Sequence, residues 1–349
     1  MIKKCLSLLL ALGLTFSSAF ADSVLINGAG ATFPYPIYSK WFDLYQSIDT
    51  SVRFNYQSIG SGGGIKQISA QTVDFGATDG PMTSEEMKAA EGGQILHIPM
   101  VLGAVTVAYN IEGVKKGLKL TPDVLADIFL GKIQKWNDER ITALNPDFQL
   151  PQIPIVVVHR SDGSGTTSIW VDYLSKVSKE LEQKVGRGTS VNWPVGLGGK
   201  GNEGVAGQVK NMPGGLGYVE LAYAIKNNLP AAAIQNRAGQ FIEPTLESTS
   251  AAAVAATKNM PPDFRVSLTD QSAEGTYPVV GFTYLLIYKE QRDEAKGRAL
   301  VKFLGWAIRD GQKYGPDLLY APLPAAVVTL VETKIREITY NGAALLAVR

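Results

Sequence analysis

The chain has 349 residues, of which 45% are hydrophobic and 19% charged, and its formal net charge is +1 at neutral pH. Acidic and basic residues are mixed along the chain, which argues against nucleic acid or an anionic membrane as a partner. The one cysteine, Cys5, lies at the very start, so a processed chain has no thiol and can form neither a disulfide nor a cysteine nucleophile. The remaining length is enough for two ordinary cores, which predicts two domains.

The N-terminus has the pattern of a secretory signal peptide. Lys3 and Lys4 precede an apolar run that reaches Phe16, and Ala-Phe-Ala at 19–21 is typical of a cleavage site. The run is shorter than the roughly 18 apolar residues that a transmembrane helix needs. Cys5 lies at the front of this run and not at its cleavage end, which argues against lipid attachment. The sequence therefore predicts an exported, unlipidated protein of a bacterial periplasm.

Short apolar runs then alternate with helical patterns, which predicts an α/β fold. Three units of strand, glycine turn and helix recur along the chain. Their predicted strands are 24–26, 52–56 and 153–159. A helix follows each strand, and its apolar residues have helical spacing. These residues are Ile37, Trp41, Leu44, Tyr45 and Ile48 in the first helix, Ile65 and Ile68 in the second, and Ile169, Tyr173, Leu174 and Val177 in the third.

Other elements follow from caps and periodicity. Thr121 before Pro122 predicts a helix start, and 230–275 has the weak periodicity of surface helix and loops. The extended run 276–289 is too long for one ordinary strand, so we predict that it crosses between the domains, beside a partner strand near 105–110. Apolar residues spaced as in a helix from Leu300 predict an amphipathic helix that ends near position 311.

Three glycine turns between strand and helix are built alike. They read GAGATF at 28–33, SIGSGGG at 58–64 and RSDGSGTT at 160–167. Glycine lets the backbone approach a ligand closely, and a helix start offers unpaired N–H groups at the positive end of the helix dipole. One such turn is weak evidence, because glycine and serine are ordinary capping residues. Three turns that converge on one point would bind an oxyanion such as phosphate or sulfate.

Three charged residues in or near these turns have two interpretations each. Arg160 could grip two oxygens of an anion with its planar fork, or it could be a surface side chain at a strand end. Asp162 could hold that guanidinium or form a local turn. Asp79 could accept a proton from a protonated anion, or it could cap a helix predicted at 84–90.

Enzyme motifs are absent. The stretch PVGLGGKGN has Pro194 where a P-loop needs its first glycine, and no Gly-x-Ser-x-Gly elbow surrounds Ser61 or Ser164. His97 and His159 are far apart beside apolar runs, and no Cys/His/Asp cluster has metal-ligand spacing. The sequence thus predicts a binding protein that is not an enzyme and has no metal and no cofactor.

Six motifs occur in a fixed order along residues 24–325: GAGATFP, IGSGGG, VDFGATDGPM, LGKIQKWND, RSDGSGT and WPVGLGGKGNEGVA. In these motifs the chain closely resembles the periplasmic phosphate-binding proteins of high-affinity phosphate ABC transporters. The resemblance implies a two-domain periplasmic-binding-protein fold of type II-like organisation, with two α/β lobes joined by extended crossover strands and the ligand in the cleft.

The same resemblance implies which residues contact phosphate. Phe33 and Gly165 would act through backbone N–H groups, Asp162 would hold Arg160, and Asp79 would accept the proton of the ligand. The full implied set is Thr32, Phe33, Ser61, Asp79, Arg160, Asp162, Ser164, Gly165 and Thr166. The chain departs from the usual family pattern at Ser161, at Gly62, and in the closing stretch TYNGAALLAVR.

The implied organisation is a signal peptide at 1–21, a discontinuous first domain at 22–108 and 282–349, and a second domain at 109–281. The expected partners are inorganic phosphate, arsenate as its mimic, and the permease subunits of an inner-membrane ABC transporter, with the protein acting as a monomer. Two alternatives stay open. One is a receptor for another oxyanion such as sulfate, molybdate or tungstate, and the other is a phosphatase-type enzyme.

Overall fold

The computed structural model describes residues 23–257 and 260–346. The predictions for the signal peptide at 1–21 and for Cys5 lie outside this part of the chain. The described strands are β1 Val24–Gly30, β2 Val52–Ser58, β3 Phe75–Thr78, β4 Ile95–Tyr109, β5 Lys119–Leu120, β6 Val156–Arg160, β7 Leu197–Gly199, β8 Gly215–Glu220, β9 Ala233–Gln235, β10 Phe241–Ile242, β11 Val280–Tyr288, β12 Thr339–Tyr340 and β13 Ala343–Ala344.

The helices lie between these strands in the alternating order that the sequence predicts. They are α1 Tyr35–Ile48, α2 Ser61–Ser69, α3 Ser84–Lys88, α4 Pro122–Phe129, α5 Glu139–Leu144, α6 Gly165–Val177, α7 Lys179–Lys184, α8 Gly201–Asn211, α9 Leu221–Lys226, α10 Leu246–Thr257, α11 Glu294–Ala307 and α12 Ala325–Ile335. Within residues 23–257 and 260–346, no helix combines the length and the apolar character that crossing a membrane requires.

Eight strands form one mixed sheet in the order β2-β1-β3-β11-β4-β8-β6-β7. At one end β1 is parallel to β2 and β3, and at the other end β6 is parallel to β7 and β8. The central strands β11 and β4 are antiparallel to their neighbours. We call the end formed by β1, β2 and β3 the first lobe and the end formed by β6, β7 and β8 the second lobe. The predicted α/β class is confirmed.

The long strand β4 connects the two lobes. All its residues are buried, as expected for a near-continuous apolar run that is covered on both faces. Its residues from Ile95 to Ala104 pair with β11, and those from Val105 to Tyr109 pair with β8. The partner of the 276–289 run, predicted near 105–110, is therefore β4, but the pairing lies mostly upstream of the predicted residues, and only the Val105 N–H reaches the run, where it donates to the Val279 carbonyl at 2.9 Å. The antiparallel register aligns Val280 with Ala104, which leaves the rest of β4 free to pair with the second lobe.

The first lobe packs α1 and α11 onto the sheet. Trp41 of α1 is fully buried, and its indole nitrogen donates to the Gly311 carbonyl at 2.7 Å. Phe42 stacks on Phe54 of β2 with ring centroids 4.7 Å apart. Ile48, which belongs to the predicted apolar face, is 60% exposed. The buried stripe of α1 therefore ends one turn earlier than the apolar pattern suggests.

The second lobe packs α6 and α8 around its parallel strands. Trp170 of α6 stacks on Tyr218 of β8 with centroids 5.7 Å apart. The predicted strand at 153–159 begins only at Val156, because the residues before it pair outside the sheet: Pro154 forms an isolated antiparallel bridge with Lys135, and the Ile155 N–H donates to the Gln134 carbonyl at 2.8 Å. The segment 230–275 contains β9, β10 and α10, and the closing stretch forms the short hairpin β12-β13 after α12.

Candidate functional site

The three predicted glycine turns meet between the lobes. Ser61 is the first residue of α2, Gly165 is the first residue of α6, and Asp79 follows β3 directly. A β-carbon at Gly165 would lie 2.5 Å from both the Ser61 Oγ and the Asp79 Oδ2. No side chain larger than hydrogen fits there, so glycine is what allows the helix start of the second lobe to approach the first lobe.

Thr32 and Phe33 complete the first turn, directly before α1. The Thr32 carbonyl accepts from the Tyr223 hydroxyl at 2.5 Å, and the Phe33 carbonyl accepts from the Tyr320 hydroxyl at 2.7 Å. Both donors are buried tyrosines, which hold the backbone of this turn in place on its carbonyl side. Both bonds use carbonyl groups of the turn, and neither uses its N–H groups.

A fourth turn joins the site, and sequence reasoning missed it. Gly201 and Asn202 open α8, and the Gly201 N–H donates to the Asp162 Oδ1 at 3.0 Å. The Asn202 Nδ2 lies 2.7 Å from the Thr32 Oγ1 and 3.2 Å from the Thr166 Oγ1. The signal was present in the sequence, because the glycine run before α8 has the same strand-to-helix construction as the other turns.

Arg160 lies at the end of β6 with a side chain that is 1% exposed. Its Nε and Nη2 donate to the two carboxylate oxygens of Asp162 at 2.8 and 2.5 Å, and its Nη1 donates to the Thr166 Oγ1 at 3.2 Å. Burial works to raise the pKa of Asp162, but the paired guanidinium and the Gly201 N–H outweigh it, and the pKa is lowered. The interpretation of Arg160 as a surface side chain was wrong.

Asp79 is buried on the first-lobe side of the site, 3% exposed. The Ser61 Oγ lies 3.4 Å from its Oδ2 and accepts from its backbone N–H at 3.2 Å. Its Oδ1 has no hydrogen-bond partner among the described residues. Burial raises the pKa of Asp79 to about 7, although Thr283, Arg160 and Ser61 act in the opposite direction. The carboxyl group therefore has an oxygen that a proton-bearing ligand can satisfy.

The alternative role for Asp79, as the cap of the following helix, was wrong. Helix α3 is capped by Thr83, whose hydroxyl accepts from the Glu86 N–H at 3.1 Å. The Glu86 carboxylate accepts in return from the Thr83 N–H at 2.8 Å, which completes a capping box. Asp79 makes no contribution to that cap, so its burial has another reason.

The lobes touch at the site. The Gly62 N–H donates to the Gly163 carbonyl at 2.9 Å, which is a direct backbone bond from the first lobe to the second. A β-carbon at Gly62 would lie 3.0 Å from the Gly163 Cα, so the glycine that departs from the usual family pattern allows this close approach. The polar side chains of the site are accordingly buried in this arrangement, namely Thr32, Ser61, Asp79, Arg160, Ser164, Thr166 and Asn202.

The remaining predicted hydroxyl has a structural role as well. The Ser164 Oγ caps α6 by accepting from the Thr167 N–H at 3.0 Å. Its own proton is not used in that bond and stays available for another acceptor.

His97 lies away from the turns, where its Nε2 accepts from the Met82 N–H at 3.0 Å. Burial lowers the pKa of His97 to about 4, so it is a neutral core residue.

The two lobes share one mixed sheet, and their glycine-rich helix starts face each other across a buried polar cleft. This arrangement defines a two-lobe solute-binding protein. A family model described as a PBP superfamily domain matches residues 17–310 of this chain. The chain is 48% identical over 317 residues to the phosphate-binding protein PstS of Xylella fastidiosa, which covers 90% of this chain and 86% of that protein. It is 46% identical over 316 residues to the PstS of Haemophilus influenzae, and the alignment covers 90% of this chain and 93% of that protein.

The chain therefore belongs to the PBP superfamily and, within it, to the phosphate-binding protein PstS family. Solved structures show the same fold. A phosphate-binding protein from Stenotrophomonas maltophilia has a TM-score of 0.72 at 20% identity, over 92% of this chain and 96% of that one. The periplasmic phosphate-binding protein PfluDING, bound with phosphate, has a TM-score of 0.71 at 20% identity, over 91% and 98%. The predicted two-lobe binding-protein fold is confirmed.

Proposed function

We propose that this protein binds inorganic phosphate in the cleft between its lobes. One observation carries the proposal: the buried Arg160, and the buried carboxyl group of Asp79 whose Oδ1 has no hydrogen-bond partner among the described residues, both lie at the start of α6. The arginine and the N–H groups fit an anion. The carboxyl group of Asp79 fits an anion that keeps a proton, and phosphate keeps at least one at neutral pH.

The proposed ligand contacts divide by chemistry. Arg160 supplies charge and two donors, with Asp162 holding its fork. Asp79 accepts the proton of the ligand, and the hydroxyl side chains donate to its other oxygens. Phe33 and Gly165 supply backbone N–H groups at helix starts. The proposed set is Thr32, Phe33, Ser61, Asp79, Arg160, Asp162, Ser164, Gly165 and Thr166.

The proposal extends to a transport role. The protein would be exported to the periplasm without a lipid anchor, work as a monomer, and deliver phosphate to the permease subunits of an inner-membrane ABC transporter. Membership of the PstS family supports this role. We keep the proposed division into a first domain at 22–108 and 282–349 and a second domain at 109–281. The division is supported by β4, which pairs with β11 along one part and with β8 of the second lobe along the other.

The enzyme alternative is not favoured, because the family is one of solute-binding proteins and not of enzymes. Hydrolysis of a phosphate ester needs a nucleophile with an adjacent base or a metal ion. Incubation of the protein with a chromogenic phosphate ester and divalent metals tests directly whether it hydrolyses such esters. Sustained turnover would overturn the receptor proposal.

A calorimetric competition series tests the choice of ligand. We expect phosphate to bind at one site per chain and arsenate, which is protonated in the same way, to displace it. Sulfate and molybdate should fail to displace phosphate, because neither brings a proton to Asp79 at neutral pH. Tight binding of sulfate or molybdate at neutral pH, with phosphate as the weaker competitor, would instead establish the other oxyanion receptor.

Phosphate should also compact the protein. The proposed contacts come from both lobes, so bound phosphate stabilises the closed arrangement relative to an open one. Small-angle scattering should show a smaller radius of gyration with saturating phosphate than without ligand. The same concentration of sulfate at neutral pH is the control and should leave the radius unchanged. Identical dimensions with and without phosphate would contradict closure by the ligand.

A further inference from the structure

We propose that Asn202 is a positioning residue that forces the hydroxyl groups of Thr32 and Thr166 to act as hydrogen-bond donors toward the ligand. The inference rests on the proposed phosphate site and adds a residue to it. Asn202 is fully buried at the start of α8, on the second lobe. It contacts one hydroxyl of each lobe, so it acts on both sides of the cleft at once.

The orientation of the Asn202 amide is fixed by a backbone group. Its Oδ1 accepts from the Glu220 N–H at 2.9 Å. A backbone N–H can only donate, so the atom that faces it must be the amide oxygen. The Nδ2 therefore faces the threonines, and it can only donate to them. This settles an assignment that is often ambiguous for asparagine side chains.

Each threonine oxygen then has its accepting capacity filled. The Thr32 Oγ1 accepts from the Asn202 Nδ2 at 2.7 Å and from the Asn202 backbone N–H at 3.3 Å. The Thr166 Oγ1 accepts from the same Nδ2 at 3.2 Å and from the Arg160 Nη1 at 3.2 Å. A hydroxyl group has two lone pairs and one proton. Both protons are therefore left to donate to a further acceptor, and an anion in the cleft supplies one.

This arrangement biases the site toward ligands that present only acceptors on these two sides. A hydroxyl group without such neighbours rotates to donate or to accept as its partner requires. Here the Thr166 hydroxyl, on the same lobe as Asn202, is committed as a donor before the ligand arrives, and the Thr32 hydroxyl becomes committed as the lobes close. Binding therefore has less ordering to impose. Asn202 needs no contact with phosphate to have this effect.

Two substitutions test the inference by phosphate calorimetry. Asn202→Ala removes the orienting donor, and we expect phosphate affinity to fall about tenfold, the typical effect of losing one buried hydrogen-bonding partner. Asn202→Asp replaces the donor with an acceptor and adds negative charge, so the hydroxyl protons turn toward it and affinity should fall by about 100-fold or more. Asn145→Ala is the matched control. Asn145 is also a buried amide with three hydrogen bonds, to Lys119 and Ile141, and its loss should leave affinity unchanged.

A double-mutant cycle distinguishes positioning from a general structural effect. Thr166 and Asn202 both belong to the second lobe, so their contact does not report on lobe closure. If Asn202 acts through Thr166, then Asn202→Ala should cost clearly less affinity in a Thr166→Val background than in the wild type. Strictly additive losses, or unchanged affinity in folded Asn202→Ala, would overturn the inference while wild-type binding upheld the proposed function. Absence of phosphate binding by the wild type would overturn both.

Discussion

Replacing Arg160 with alanine is expected to lower phosphate affinity by about 30-fold to several thousand-fold. Truncating one partner of a buried, hydrogen-bonded charge pair costs about 2 to 5 kcal/mol, and each 1.4 kcal/mol is a factor of ten. Arg160 meets this description, because its side chain is 1% exposed and three of its nitrogens donate to Asp162 and Thr166. The variant also leaves the Asp162 carboxylate facing an anionic ligand without its cation.

Calorimetry on a short series of variants measures this effect. Arg160→Lys keeps the charge but not the planar fork, so we expect it to recover only part of the affinity. Arg187→Ala is the matched control. Arg187 is a second-lobe arginine whose side chain is 43% exposed and pairs with Asp172 and Glu182, and such exposed pairs contribute little. Its loss should change phosphate affinity by less than threefold.

The role of Asp162 can be separated in the same series. Adding Asp162→Asn to Arg160→Ala removes the uncompensated negative charge, so the double variant should bind phosphate more tightly than Arg160→Ala alone. Circular dichroism establishes that each variant is folded. If folded Arg160→Ala bound phosphate within threefold of the wild type, Arg160 would not be a ligand contact and the proposed cation of the site would be wrong.

Much of the fold could be predicted because its signals are local. The alternation of apolar runs with helical spacing predicts the α/β class, and the helix after Thr121 begins at Pro122 as the capping pattern indicates. The pairing of long strands is not a local property. The extended runs that became β4 and β11 were both visible, but their register depends on which residues of each strand lie opposite, and only the assembled sheet sets it.

The candidate site also has a part that local sequence signals predict and a part that only the folded chain shows. Glycine turns before helices can be found in a sequence, and the turns that hold Ser61 and Gly165 do meet. The sequence did not reveal that Asn202 lies between Thr32 and Thr166, because these three residues are 170 and 36 positions apart in the chain. Nor could it decide between burial and exposure for Arg160. That choice depends on Asp162 and on the lobe packed above it, and arginine is a surface residue by default.

Asp79 should be the residue that excludes sulfate, so Asp79→Asn is expected to narrow the preference for phosphate over sulfate. The Asp79 Oδ1 is buried without a partner among the described residues, and only a ligand that carries a proton can donate to it. Sites built around one required hydrogen bond can reject a ligand that lacks it by about 10⁴ to 10⁵, because buried polar groups are left unpaired. Asparagine can donate as well as accept, so the variant should tolerate sulfate.

The pH dependence of sulfate binding gives a second, independent readout. With the lobes closed, burial raises the pKa of Asp79 from 3.8 to about 7, so the closed state holds a proton that an open, hydrated Asp79 has already lost. At a pH between 3.8 and about 7, binding of sulfate is therefore coupled to the uptake of one proton by Asp79. In the wild type, sulfate affinity should rise as pH falls from 7 toward 4, by up to about tenfold per pH unit. In Asp79→Asn this dependence should disappear.

The test of Asp79 as the selectivity residue compares the wild type with Asp79→Asn. Phosphate and sulfate affinities are measured for both proteins at pH 5 and at pH 8. Asp74→Asn is the matched control, because Asp74 is a first-lobe carboxylate that accepts from Lys296 and from the Asn27 N–H. It should keep both the selectivity and the pH dependence of the wild type. Equal selectivity in the wild type and in Asp79→Asn, with sulfate binding equally sensitive to pH in both, would make Asp79 part of the scaffold. Rejection of sulfate would then need another hydrogen-bond acceptor in the site.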